Sequence, residues 1–225
     1  MTRILLLVEG QTEEAFVNLV LRPHLLPLGV FVERPSLLRT KELPEGNPFK
    51  GGVTTYPRMA RDVRRLLKDT NARVTTLLDY YGLPPVFPGL GVAKAQPDPL
   101  APARALEASF TADINHPRFH PFLALHELEA WILAVPHVAE KHLGVSGLAA
   151  ELQGIVLAAG GAELVNDSPI THPSVRLADA VQRLGRRRYG KMADGPDILA
   201  KAGLATIRSC CPHLSEWLDW LESLA

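Results

Sequence analysis

The sequence predicts an α/β protein: a mostly parallel sheet flanked by helices and completed by a helical C-terminal portion. Three observations carry this. Four apolar or β-branched runs, at residues 3–8, 29–35, 72–79 and 118–125, alternate with stretches of helical periodicity, the pattern of a parallel sheet with crossover helices. The first run is continuously apolar from Ile4 to Val8, as in a strand buried on both faces. Beyond residue 125 every periodic segment reads as helix.

Taken in order, "RILLLV" is the first strand, and Glu9-Gly10 ends it. Thr12 is a suitable N-cap for a helix of about three turns, one face of which is marked by Phe16, Leu19, Val20 and Pro23. "GVFVERP" is a second short strand, and the Pro- and Gly-rich stretch 37–53 is a long loop, a kind that is often functional. Residues 56–69 return to helix, with Met59, Val63, Leu66 and Leu67 on one side. "ARVTTLLD" is a third strand ending at Asp79, and "YYGLPPVFPGLG" forbids regular structure to about residue 99. A helix over 100–114 and a strand over 118–125 follow, the latter running into one helix over "HELEAWILAVPHVAEKHL". Further helices are predicted at 146–159, 174–187, 196–209 and 213–224. The expected organisation is an α/β core at 1–140 with residues 141–225 packed on it as a single compact unit.

The 225 residues are 47% hydrophobic, ample for one core. Lys plus Arg and Asp plus Glu are both 24, so bulk charge neither indicates nor excludes nucleic acid, and any basic surface must be local. Cys210 and Cys211 are adjacent, which excludes a disulfide framework and a Cys-x-x-Cys metal knuckle and suits a reducing compartment. No secretory-type leader pattern and no apolar run of roughly 18 residues occurs, so the expected location is cytoplasmic, with no membrane partner.

Three of the four predicted strands end at acids: Glu9, Asp79, and the pair Glu127 and Glu129. Ligands of open α/β sheets bind at the carboxyl ends of the strands, so the topology would gather these acids, with Glu13 one turn into the first helix, into one cluster. Such a cluster must be protonated, solvated or bound to a cation. Mg2+ or Mn2+ is the cation class expected, held by carboxylates, water and substrate phosphate. Each acid also has a structural explanation: Glu13 and Glu14 complement a helix dipole, and Asp79 can cap a turn. A zinc-protease helix is excluded, because Ala130 stands where the second histidine after His126-Glu127 would be needed. No phosphate-binding loop or nucleophile elbow is present.

"LLVEGQTEEAF" resembles the first motif of Toprim domains, the fold of topoisomerases, primases and OLD-type nucleases. Together with "KGG", "LLDYYGLP", "HELEAWILA" and "CPHLSEWLDWL" it resembles, over nearly the whole chain, a prokaryotic Toprim-related family described as domain of unknown function 4276. The resemblance implies that Glu9 takes the place of the glutamate proposed as general acid/base or metal ligand, and Asp79 the first position of an Asp-x-Asp metal motif. The second position is Tyr81, so Glu13, Glu127 or Glu129 would have to supply the missing ligand. Lys191, after Gly190, resembles the basic residue that OLD-type sites place near the scissile phosphate.

Local basic surface is available on the helix bearing Arg61 and Arg65, in the loop at Lys50, and in "RLGRRRYGK" with Arg186, Arg187 and Arg188, all candidates for gripping a phosphate backbone. The leading expectation is a Mg2+- or Mn2+-dependent Toprim-like nuclease, with Glu9 and Lys191 catalytic and Glu9, Glu13, Asp79, Glu127 and Glu129 holding metal. The rival is a catalytically degenerate subunit that binds nucleic acid or nucleotide and works with a separately encoded ATPase, since the chain carries none. A homodimer is compatible with either.

Overall fold

The computed structural model describes residues 1–38, 55–91, 100–165 and 171–225. Six strands form one parallel arrangement in the order β2-β1-β4-β5, with β3 also beside β1 and β6 also beside β4. They are β1 (Thr2–Val8), β2 (Val30–Val32), β3 (Ser36–Leu37), β4 (Ala72–Asp79), β5 (Phe119–His120) and β6 (Leu123–Ala124). From β1 the chain first moves outward to β2, then returns to the other side of β1 to lay down β4 and β5. The strand order therefore reverses between β1 and β4, whose pairing runs from Arg3↔Ala72 to Val8↔Leu77. A reversal of this kind opens a crevice at the carboxyl ends of the two strands.

Helices cover both faces. On one lie α3 (Tyr56–Leu66) and α4 (Ala101–Ile114), whose Met59, Val63, Leu106 and Phe110 pack with Leu7, Val74 and Leu78 of the sheet. On the other, Ile4, Leu6 and Val8 join Phe16 of α1 (Gln11–Phe16) and side chains from every helix after α4. Those are α5 (Leu128–Leu133), α6 (Pro136–Leu143), α7 (Leu148–Ala159), α8 (Pro173–Gly185), α9 (Lys191–Ala202), α10 (Leu204–Arg208) and α11 (Pro212–Glu222). One buried cluster thus runs from β1 to α11, and Trp217 of α11 stacks on Phe122 at 4.4 Å and donates from Nε1 to Thr75 Oγ1 at 3.0 Å. The α/β class with a parallel sheet agrees with the sequence prediction. No helix among the described residues is long and apolar enough to cross a membrane.

Four predicted elements differ, each for a local reason. The strand expected over 118–125 is split at Pro121, which has no N–H for the ladder. Thr76 fills the gap: its Oγ1 donates to Phe122 O at 2.8 Å and accepts from Phe122 N at 2.9 Å. The single helix expected over 126–143 is two, broken at Val135, the residue before Pro136, where the helical conformation is disfavoured. The first helix passes through a π-helical stretch, Val17–Leu21, just before Pro23, whose missing N–H cannot close an α-helical turn, and resumes as α2 (Arg22–Leu25). Finally, α9 starts at Lys191, not at residue 196. Gly190 is its N-cap, Asp194 Oδ2 accepts from Gly190 N at 2.7 Å, and Pro196 lies inside the helix. A second break at Gly203 (φ 76) separates α10.

Candidate active site

Glu9 directly follows β1 and Asp79 is the last residue of β4, so the crevice between the two strands is lined by carboxylates. The backbone N–H of Asp79 donates to Glu9 Oε2 at 3.2 Å. Gly82 makes room for that carboxylate: a Cβ on it would stand 3.3 Å from both Glu9 oxygens. Gly10 does the same for Glu13, whose Oε2 would meet a Cβ there at 3.2 Å. Glu13 itself is buried in the first turn of α1, which packs against α9.

The other strand-end acids arrive through β6. Its Ala124 pairs with Asp79, and the chain then turns through His126, at φ 72, into Glu127, the extended N-cap of α5. A positive φ at a non-glycine residue costs backbone energy, and here it turns the chain into the residue that carries the carboxylate. Glu127 is held on all sides. Tyr81 OH and Lys191 Nζ (3.3 Å) donate to its Oε1; Ser174 N (2.8 Å) donates to its Oε2, and His172 Nδ1 stands 3.4 Å from the same oxygen. Tyr81 also stacks on His172, with ring centroids 5.6 Å apart. Glu129, fully buried in α5, accepts from Tyr189 OH at 3.2 Å, and its Oε2 lies 3.1 Å from Lys191 Nζ without the alignment of a hydrogen bond.

Electrostatics set one acid apart: burial raises Glu129 against the opposing charge of Lys191, as it raises the three acids on the Asp79 side, and only Glu127 is lowered. Burial raises the carboxyl pKa of Asp79 well above its usual range, and the charges of Glu9 and Glu13 push the same way. Its Oδ1 is buried and has no hydrogen-bond partner among the described residues. Glu9 and Glu13 are raised too, chiefly by burial around the carboxyl groups, although Glu9 as a whole keeps exposed surface. Burial acts on Glu127 in the same sense, but Lys191 and the donors Tyr81 and Ser174 outweigh it and hold the group ionised. Burial would lower Lys191, yet Glu129, Glu127 and Asp79 together raise its ammonium well above the usual lysine range. His126, half-buried beside this cluster, is pushed down by burial to about 4 and is neutral at pH 7.

All five predicted acids and Lys191 therefore belong to one connected site. The described residues contain no set of three or more His, Cys, Asp or Glu side chains converging on a ready-made metal position. A hard cation of the Mg2+ type needs only one or two carboxylates if water and substrate phosphate complete its shell. The unpartnered Asp79 Oδ1, with Glu9 and Glu13 acting on it, fits such an ion; the Glu127–Glu129 pair is already engaged by Lys191.

The basic residues fare differently. Arg61 and Arg65 are exposed on α3, and Arg65 lines a cavity of about 380 Å³ with Leu7, Ser36, Leu37, Asp62 and Leu66. Arg186 and Arg188 are exposed in the segment that leads into Lys191. Arg187 is committed to structure: Nη1 donates to Leu143 O at 2.9 Å, and Nη2 pairs with Asp194 at 3.3 Å. Lys50 lies outside the described residues. Sequence reasoning assigned no role at the acids to His172, Ser174, Gly82 and Tyr189. Only Tyr189, two residues before Lys191, carried a local hint.

The chain is similar to the C-terminal region of the Burkholderia pseudomallei OLD protein, at 17% identity over 100% of both chains with a TM-score of 0.41. It is similar also to the C-terminal region of the Xanthomonas campestris pv. campestris OLD protein, at 18% identity over 98% of this chain and 97% of that one, with a TM-score of 0.39. Among curated proteins nothing matches the chain. Residues 8–222 match the family described as Domain of unknown function (DUF4276), nearly the full length of the sequence, and the chain belongs to that family.

Proposed function

We propose that this protein is a nuclease-type enzyme that hydrolyses nucleic-acid phosphodiesters with the help of Mg2+ or Mn2+. The observation that carries the reading is Asp79 Oδ1: a buried carboxylate oxygen without a partner, beside Glu9 and Glu13 at the switch point of a parallel sheet. An uncompensated buried acid is costly, and a cation is what would compensate it. When bound, the ion supplies charge neutralisation and polarises the phosphate. Glu9, raised by burial and open on one side, takes the proton of the attacking water. Lys191, positively charged and with a side chain 40% exposed, offers its ammonium to the charge that develops on the phosphate. Arg186 and Arg188, exposed just ahead of α9, engage the nucleic-acid backbone. The unbridged thiols Cys210 and Cys211 suit a cytoplasmic setting.

A nicking assay on DNA and RNA tests the reading. Cleavage should require Mg2+ or Mn2+ and disappear in Asp79→Asn; cleavage that persists in excess chelator contradicts it. One observation favours a second reading, a binding subunit that works with a separate ATPase: Tyr81 stands where an Asp-x-Asp motif would place a second acid, and its hydroxyl is turned onto Glu127. The two readings part on metal-dependent turnover, which the binding subunit lacks.

A further inference from the structure

The two halves of the acidic site differ in what faces them: a lysine ammonium stands against Glu127 and Glu129, and no described donor stands against Asp79 Oδ1. Each oxygen of Glu127 has two neighbours, Tyr81 OH and Lys191 Nζ on Oε1, Ser174 N and His172 Nδ1 on Oε2. A carboxylate offers about four acceptor positions; hydrogen bonds fill three on Glu127, and His172 Nδ1 stands against the remaining side. Glu129 is closed off from solvent; its Oε1 is taken by Tyr189, and its buried Oε2 makes no hydrogen bond but faces the Lys191 ammonium at 3.1 Å, a counter-charge. Lys191 Nζ thus sits between two carboxylates, 3.3 and 3.1 Å away, where a bridging divalent ion would otherwise bring positive charge. Its place is fixed by the fold, because Lys191 is the first residue of α9, behind the Gly190–Asp194 N-terminal closure. On the other half, Asp79 is 8% exposed and its Oδ1 has no donor among the described residues.

We propose that the site takes one divalent cation, on the Asp79 side, and that Lys191 is a built-in second cation that fills the Glu127–Glu129 position permanently. The inference rests on the reading of the acids as a cation site and adds what that reading leaves open, the number of ions and the role of each half. Lys191 then acts twice: it supplies the counter-charge to Glu127 and Glu129, and it would present fixed positive charge to a phosphate bound at the site. Tyr81 belongs to the same device, since a hydroxyl donor at its position completes the engagement of Glu127, where a second aspartate would invite another ion.

Calorimetric titration of Mn2+ into the full chain, with folding checked by circular dichroism, reads the stoichiometry directly. One ion per chain is expected for the wild type and for Lys191→Arg, which keeps the charge. Two are expected for Lys191→Ala, which frees Glu127 Oε1 and Glu129 Oε2. Two ions on the wild type, or one on a folded Lys191→Ala, overturn the inference and leave the cation-dependent reading standing. No ion on the wild type at millimolar Mn2+ overturns that reading itself. Should the alanine variant not fold, the wild type and Lys191→Arg decide: one ion on each supports the inference, and a second ion on either sinks it.

Discussion

The backbone N–H of Asp79 donates to the carboxylate of Glu9 at 3.2 Å, tying the ends of two adjacent parallel strands that lie seventy residues apart in sequence. That bond orients Glu9, but it leaves Asp79's own carboxyl among like charges. Burial and those neighbours raise the Asp79 carboxyl, and a cation bound there would offset the cost.

The sign of the resulting pH dependence follows from the raised carboxyls of Asp79, Glu9 and Glu13, each displaced mainly by burial. A carboxyl raised in the folded state contributes stability below its unfolded pKa and loses it as pH climbs through the folded value. Glu127 is lowered and contributes in the opposite sense, losing stability as the solution is acidified. In chelator, Asp79→Asn should be more stable than wild type at pH 8 by about 1–3 kcal/mol, the range for relieving an unsatisfied buried group. The gap should narrow toward pH 4. Urea denaturation at both pH values checks it; a wild type that is the more stable protein at pH 8 in chelator overturns the expectation.

Lys191→Met leaves Glu127 and Glu129 without their shared counter-charge. Breaking a fully buried pair costs about 3–5 kcal/mol. With the lysine side chain 40% exposed, solvent screening should reduce this to about 2–3 kcal/mol. Guanidinium denaturation at pH 7 measures the loss, and a variant as stable as wild type shows that the lysine neutralises nothing.

The strand break at Pro121 predicts a distant effect. Thr76→Val removes the hydroxyl that serves both the N–H and the carbonyl of Phe122 and leaves two buried backbone groups unpaired. A loss of about 2–4 kcal/mol is expected, at about 1–3 kcal/mol per orphaned group with partial relaxation. Hydrogen exchange should show the protection of Leu123 and Ala124 falling before that of β1.

The arginine run separates by role. Arg186→Ser with Arg188→Ser should weaken nucleic-acid binding and flatten the plot of log K against log salt by roughly 1.8, about 0.9 for each duplex-DNA phosphate that is no longer neutralised. Arg187→Ser should leave that slope alone and lower stability, because its guanidinium holds Leu143 O and Asp194. Fluorescence anisotropy across a salt series distinguishes them, and equal slope changes for all three arginines contradict the assignment.

Much of this site could be read from sequence because strand ends are marked there. The apolar run Ile4–Val8 and the β-branched run before Asp79 fix where the sheet stops, and sheet geometry then places Glu9 and Asp79 together. What escaped the sequence was set by tertiary packing or by proline. Gly195-Pro196 looked like a helix boundary, yet α9 begins at Lys191 because Asp194 closes its first turn onto Gly190. Val135-Pro136 hid a break inside a continuous apolar period. The partners of Glu127 come from residues 81, 172, 174 and 191, and no spacing in the sequence relates them.

Asp79, beside Glu9 and Glu13, is the proposed seat of a divalent cation. Anomalous diffraction from a crystal soaked in Mn2+ tests it most directly. A peak is expected within about 2.0–2.3 Å of Asp79 Oδ1, the distance of a hard cation from a carboxylate oxygen. A crystal with no peak, or one whose only peak lies between Glu127 and Glu129, would contradict it.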